Sequence, residues 1–104
     1  MLDATKAQLK RADRIKKRIA SFSKIEPNWD SYGGKAITKT AIKRATKLVD
    51  EIDPFCWEKV EAFPTSIGGV QFEFFYRTTI TIDVLPNGSL DIDMDDDEEP
   101  YVEV

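Results

Sequence analysis

At 104 residues, 41% hydrophobic and 33% charged, the chain has room for one domain around one core. A single cysteine, Cys56, excludes an intramolecular disulfide and suits a reducing, cytoplasmic setting, while the lack of histidine removes the commonest general base and metal ligand near neutral pH. The net charge of −4 hides a split: residues 1–49 hold 13 basic and 4 acidic side chains, a net of +9, and residues 50–104 hold 2 basic and 15 acidic, a net of −13.

The split points to an acidic or basic interaction surface, or to halves that attract each other within one fold or a homodimer. The bland reading is a pair of solvated faces. The N-terminus is charged throughout, so it lacks the apolar centre of a secretory signal. No apolar run approaches the roughly 20 residues of a membrane helix. Residues 4–23 predict a helix, with Leu9, Ala12, Ile15, Ile19 and Phe22 on one stripe. Lys10, Arg11, Arg14, Lys17 and Arg18 cover its other faces. Such a helix can lie on a membrane or a nucleic acid, but its stripe is thin and carries no tryptophan, which favours packing on a sheet.

Residues 28–34, NWDSYGG, link this helix to the next. Gly33 and Gly34 permit positive φ. Asp30 can accept backbone N–H groups as an Asx turn. Trp29 and Tyr32 can bury large apolar areas while their polar ends find partners. Asn28, Trp29, Asp30 and Tyr32 therefore form either a structural joint or a pocket. The stretch AITKTAIKRATKLVDEIDP then predicts the second helix. Thr38 is its N-cap, Ile37 and Ile42 form a hydrophobic staple, and Ala41, Ile42, Ala45, Leu48, Val49 and Ile52 are its buried face. Asp53-Pro54 ends it. Lys39 and Lys43 near its start and Asp50, Glu51 and Asp53 near its end oppose the macrodipole. The helix therefore needs tertiary packing or complementary charge at its ends.

From about residue 57 the apolar period becomes two. Val70, Phe72, Phe74 and Tyr76, then Ile80, Ile82 and Val84, then Leu90, Ile92 and Met94 alternate with polar residues, apart from Phe75. These are three antiparallel strands with one buried and one wet face each, and WEKVEAF at 57–63 is a weaker fourth. In LPNGSL a two-residue Asn-Gly turn would bring Asp91 to the apolar face. A three-residue loop, Pro86-Asn87-Gly88, instead pairs Val84 with Leu90 and Ile82 with Ile92. The fold class is α+β: two N-terminal helices and an antiparallel meander of three to four strands, with the helices on one sheet face. It is one domain over residues 1–104, and an acidic, flexible tail is expected over 94–104.

Without histidine, Cys56 has no partner for papain-like chemistry and reads as a small core residue. The glycine pairs 33–34 and 68–69 do not form a phosphate loop. An enzyme is not expected, nor a cofactor. DIDMDDDEE resembles a calcium loop only superficially, because Asp96 and Val102 stand where glycine and glutamate are required, so no metal site is expected. The acidic strands are the candidate site: Asp83, Asp91, Asp93 and Asp95, continued by Asp96, Asp97, Glu98 and Glu99. In the three-residue register Asp83 faces Asp91, and like charges directly opposite destabilise a sheet. Such a face needs water and salt, the chain's own basic helix, or a basic partner. The competing reading is a solvated outer face that discourages edge pairing.

NWDSYGG before a helix, GGVQFEF, and ITIDVLPNGSLDI together resemble a family of small uncharacterised bacterial and phage proteins, over about residues 28–92. Gly34 and Phe74 stand where that pattern has Ala and Trp. The resemblance implies the fold and a cytosolic setting and supplies no mechanism. The sequence thus favours a non-enzymatic protein-binding module, antitoxin-like or otherwise accessory. Its alternative is an acidic mimic of nucleic acid that inhibits a defence nuclease, of the anti-restriction or anti-CRISPR type. Direct nucleic-acid binding through the basic helix is the weakest reading.

Overall fold

The computed structural model describes residues 5–52, 59–75 and 79–95. Expectations for Asp53-Pro54, Cys56, Tyr76, Asp96, Asp97, Glu98 and Glu99 lie outside those residues. Helix α1 (Lys6–Ser21) starts in a capping box: the Thr5 hydroxyl accepts from Gln8 N, and the Gln8 side chain accepts from Thr5 N. A 3₁₀ turn, Phe22–Lys24, closes it. Ala12, Ile15, Ile19 and Phe22 are buried, whereas Leu9, the first residue of the stripe, is exposed.

Helix α2 (Lys39–Glu51) is capped by the Thr38 side chain, which accepts from Ala41 N at 3.0 Å. Ala41, Ala45, Leu48 and Val49 are buried, with Ile42 and Ile52 partly so. The charges that oppose its macrodipole are compensated at the C-terminal end. Lys16 of α1 pairs with Asp50, and Arg44 reaches Glu51 at 3.1 Å.

Four strands follow, β1 (Val60–Pro64), β2 (Val70–Phe75), β3 (Thr79–Val84) and β4 (Leu90–Asp95), in one antiparallel sheet of order β1-β2-β3-β4. The β3–β4 register is the one that keeps the apolar residues together: Val84 opposite Leu90, Ile82 opposite Ile92 and Asp83 opposite Asp91. Gly88 has φ 92°, Gly88 N donates to Leu85 O, and Leu85 N donates to Ser89 O, the bonding of a three-residue loop with a left-handed glycine. Residues 94 and 95, assigned to the tail by composition, belong to β4, because they continue the alternation against Ile80 and Thr79.

The core joins α1, α2 and one sheet face. Val60, Ala62, Val70, Phe72, Phe74 and Val84 are buried with the helix stripes, and Ile80 and Ile82 pack partly against them. β4 departs from expectation. Its apolar residues share that face, yet Ile92 is 63% and Met94 61% exposed, and Leu90 is exposed too. Alternation encodes which way a side chain points, not whether a helix covers it. α1 contacts β1, and α2 contacts β2 and β3. Among the described residues no element lies over β4.

Candidate functional site

The NWDSYGG stretch folds around two short polar side chains. Asp30 Oδ1 accepts from Tyr32 N at 2.9 Å and Gly34 N at 2.8 Å, and Asn28 Oδ1 accepts from Gly33 N at 2.8 Å. Asn28 N donates to Gly34 O at 2.6 Å and closes the loop. Asn28 and Ser31 both take left-handed backbone, with φ of 66° and 65°. The amides of Tyr32, first, and Gly34 hold the Asp30 carboxyl below its ordinary value. A Cβ on Gly34 would fall 2.7 Å from Asp30 Oδ1, so glycine there makes room for the carboxylate rather than for a turn.

The aromatic residues behave differently from expectation. Trp29 donates from Nε1 to Lys35 O at 3.0 Å but remains 37% exposed. Tyr32 is 91% exposed and packs nothing away. The loop is held by amides on carboxylate and carboxamide oxygens, so it does not need the tyrosine ring.

The three motif segments meet at one end of the sheet. Lys35 N donates to Ser66 O, Thr38 N to Gly68 O, and Thr38 Oγ1 to Pro86 O at 2.7 Å. Gly68 and Gly69 let these backbones touch: a Cβ on Gly68 would lie 2.9 Å from Ala36 O, and one on Gly69 would overlap Val84 O.

The wet sheet face carries the acidic candidates in rows. Glu61 stands beside Glu73, Thr81 and Asp93 in one row, and Gln71 beside Asp83 and Asp91 in another. Asp95 continues the pattern opposite Thr79. Gln71 Nε2 donates to Asp83 Oδ1 at 3.0 Å, so Asp83 has a neutral partner. Asp91 and Asp93 are exposed. Among the described residues no lysine or arginine pairs with Asp83, Asp91 or Asp93. Among the described residues, ion pairs join the basic and acidic halves at Asp50, Glu51 and Glu61. Among the described residues, too, no cluster of three Asp, Glu or Cys is placed to hold a metal ion.

The basic helix lies against the opposite sheet face and, among the described residues, reaches the wet face at the β1 edge. There Arg18 Nε donates to Ala62 O at 2.6 Å, and Arg11 Nη2 contacts Val60 O and Glu61 Oε2, both at 3.4 Å. The Arg18 guanidinium also lies 5.5 Å from the Phe22 ring centre and 5.6 Å from that of Phe63. Two arginines thus occupy the carbonyls that an added strand would use. Their sequence signal, two cations seven residues apart on a helix, reads equally well as solvated surface. No helix among the described residues is long and apolar enough to cross a membrane. No protein-family model, curated protein or solved structure matches the chain.

Proposed function

We propose that the chain is a non-enzymatic protein-binding module of bacterial or phage origin, an antitoxin-like or other accessory partner working in the cytoplasm. One juxtaposition carries this reading: the Asp83, Asp91 and Asp93 carboxylates, with no basic partner among the described residues, lie on β3 and β4 beside the exposed Ile92 and Met94 of β4. Like charges across a ladder and open apolar side chains both lower the stability of an isolated domain. A basic, partly apolar protein surface would relieve both.

The test is co-purification with the product of the adjacent gene, followed by titration calorimetry. Asp91→Asn with Asp93→Asn is expected to weaken the complex at least tenfold while the fold is retained. Unchanged affinity would refute the reading.

The exposed Asp91 and Asp93, with no basic partner among the described residues, support a second reading. An acidic mimic of nucleic acid would use this face to occupy a defence nuclease. Competition with duplex DNA for such a nuclease separates the two readings.

A further inference from the structure

We propose that the β4 edge receives an extended segment of a partner protein in which basic and apolar residues alternate. The inference rests on the protein-binding reading and specifies what the partner presents.

The two edges of the sheet are treated differently. In an antiparallel pair, bonded and non-bonded residue pairs alternate. Leu85 N donates to Ser89 O, so the bonded pairs that follow are Asp83 with Asp91 and Thr81 with Asp93. The backbone groups of Leu90, Ile92 and Met94 then point away from β3, towards the edge. The same count at β1 starts from Thr65 N on Gly69 O and turns the carbonyls of Val60 and Ala62 outward. Those are the carbonyls that Arg11 and Arg18 occupy. Among the described residues nothing occupies the equivalent groups of β4, which is the last strand of the sheet.

The side chains beside this edge define the occupant. Leu90, Ile92 and Met94 are exposed on one face, and Asp91 and Asp93 on the other. A strand added to β4 would set its residues opposite Ile92 in bonded pairs and those opposite Asp91 and Asp93 in the closer non-bonded pairs. Apolar residues at the first positions would cover Ile92 and Met94. Lysine or arginine at the second would meet the aspartates, a favourable cross-strand pair. A helix laid over Ile92 and Met94 would leave the edge amides unpaired and would not reach the carboxylates behind them.

Charge also discriminates against the occupants nearest to hand. In a second copy, β4 would bring its own Asp91 and Asp93 against the first pair. Residues 96–104 carry five acidic side chains and no basic one. Each places like charges across the new ladder.

The test uses the full ¹⁵N-labelled chain and a nine-residue peptide that alternates lysine with valine. In the proposed pairing the valine N–H groups point at β4 and the lysine N–H groups point away. N-methylation of the valines is therefore expected to weaken binding at least tenfold, and N-methylation of the lysines to leave it within about twofold. Amide exchange at Leu90, Ile92 and Met94 is expected to slow at least tenfold, with little change at Asp91 and Asp93. Equal binding by all three peptides would overturn the edge pairing in favour of simple charge attraction, and the protein-binding reading would survive. Failure of every peptide would overturn the proposal, whereas that reading stands or falls on the native partner and the Asp91 and Asp93 variants. A dimer dispersed by Ile92→Lys, or peptide binding seen only after deletion of residues 96–104, would place a second copy or the chain's own end at the edge and would also overturn it.

Discussion

Arg18 of α1 donates to the main-chain carbonyl of Ala62 and so closes one side of the sheet with a side chain instead of a strand. Its guanidinium also lies against Phe22 and Phe63. A charge-assisted hydrogen bond together with ring contacts at a partly exposed site contributes about 1–2 kcal/mol. Arg18→Ala is expected to lower unfolding stability by that amount and to raise self-association at high concentration, because β1 then offers an unpaired edge. Denaturant titration and light scattering check the two effects. Arg18→Lys keeps the charge without the planar fork and should restore only part of the loss.

Trp29 and Tyr32 are three residues apart and should respond very differently to truncation. Trp29→Ala removes a partly covered ring and a hydrogen bond to Lys35 O, for an expected loss of about 1–3 kcal/mol. Tyr32→Ala is expected to stay within about 0.5 kcal/mol of the parent. Paired thermal melts test this. Equal losses would mean that the tyrosine ring is packed in solution.

Asp30 gives the loop a defined pH dependence. The amides of Tyr32 and Gly34 hold its carboxyl below the ordinary value of 3.8. A folded value below the unfolded one means the stabilisation is complete above about pH 4 and is lost as pH falls through the folded value. Asp30→Asn is therefore expected to melt below the parent at neutral pH, with the gap closing under acid. A gap that stays constant down to about pH 2 would contradict this assignment.

Asp91 faces Asp83 across the β3–β4 ladder. Asp91→Asn removes that repulsion, so the isolated chain should gain about 0.2–0.5 kcal/mol, more at low salt than at high. A variant that is more stable yet binds its partner less well is the signature of a charge retained for recognition. If stability rises and binding is unaffected, the row is solvated surface.

The glycines separate close approach from backbone freedom. Gly69→Ala puts a methyl group into Val84 O, a backbone atom with little room to move, and should cost about 3 kcal/mol or more. Gly33 has φ 82° with open space around it, so Gly33→Ala should cost only the conformational penalty, about 1–2 kcal/mol. Urea denaturation of both variants decides between the two mechanisms.

Much of this architecture was legible in the residues. The alternation through Val84, Leu90 and Ile92 chose the three-residue loop over the usual Asn-Gly turn, because the two-residue turn would bring Asp91 to the apolar face. Thr38 announced the start of α2, and Asp30 its Asx turn. The Thr5–Gln8 capping box was equally present and gives α1 a sharper start than the apolar stripe does. Other features depend on tertiary arrangement. The exposure of Tyr32 could not be read from an aromatic residue in a tight loop. The position of Arg11 and Arg18 over β1 requires knowing where the helix lies. The bare face of β4 follows from having two helices for four strands, and each strand's own pattern is silent about that.

The unequal edges also bear on the stoichiometry of the proposed complex. With arginines on the outer carbonyls of β1, the proposed pairing would lengthen the sheet on the β4 side only, and Asp91 and Asp93 would oppose a second copy there. If the β4 edge takes the proposed segment, the domain is univalent: it would end a growing sheet in a one-to-one complex, where a sheet with two equivalent open edges would propagate into a filament.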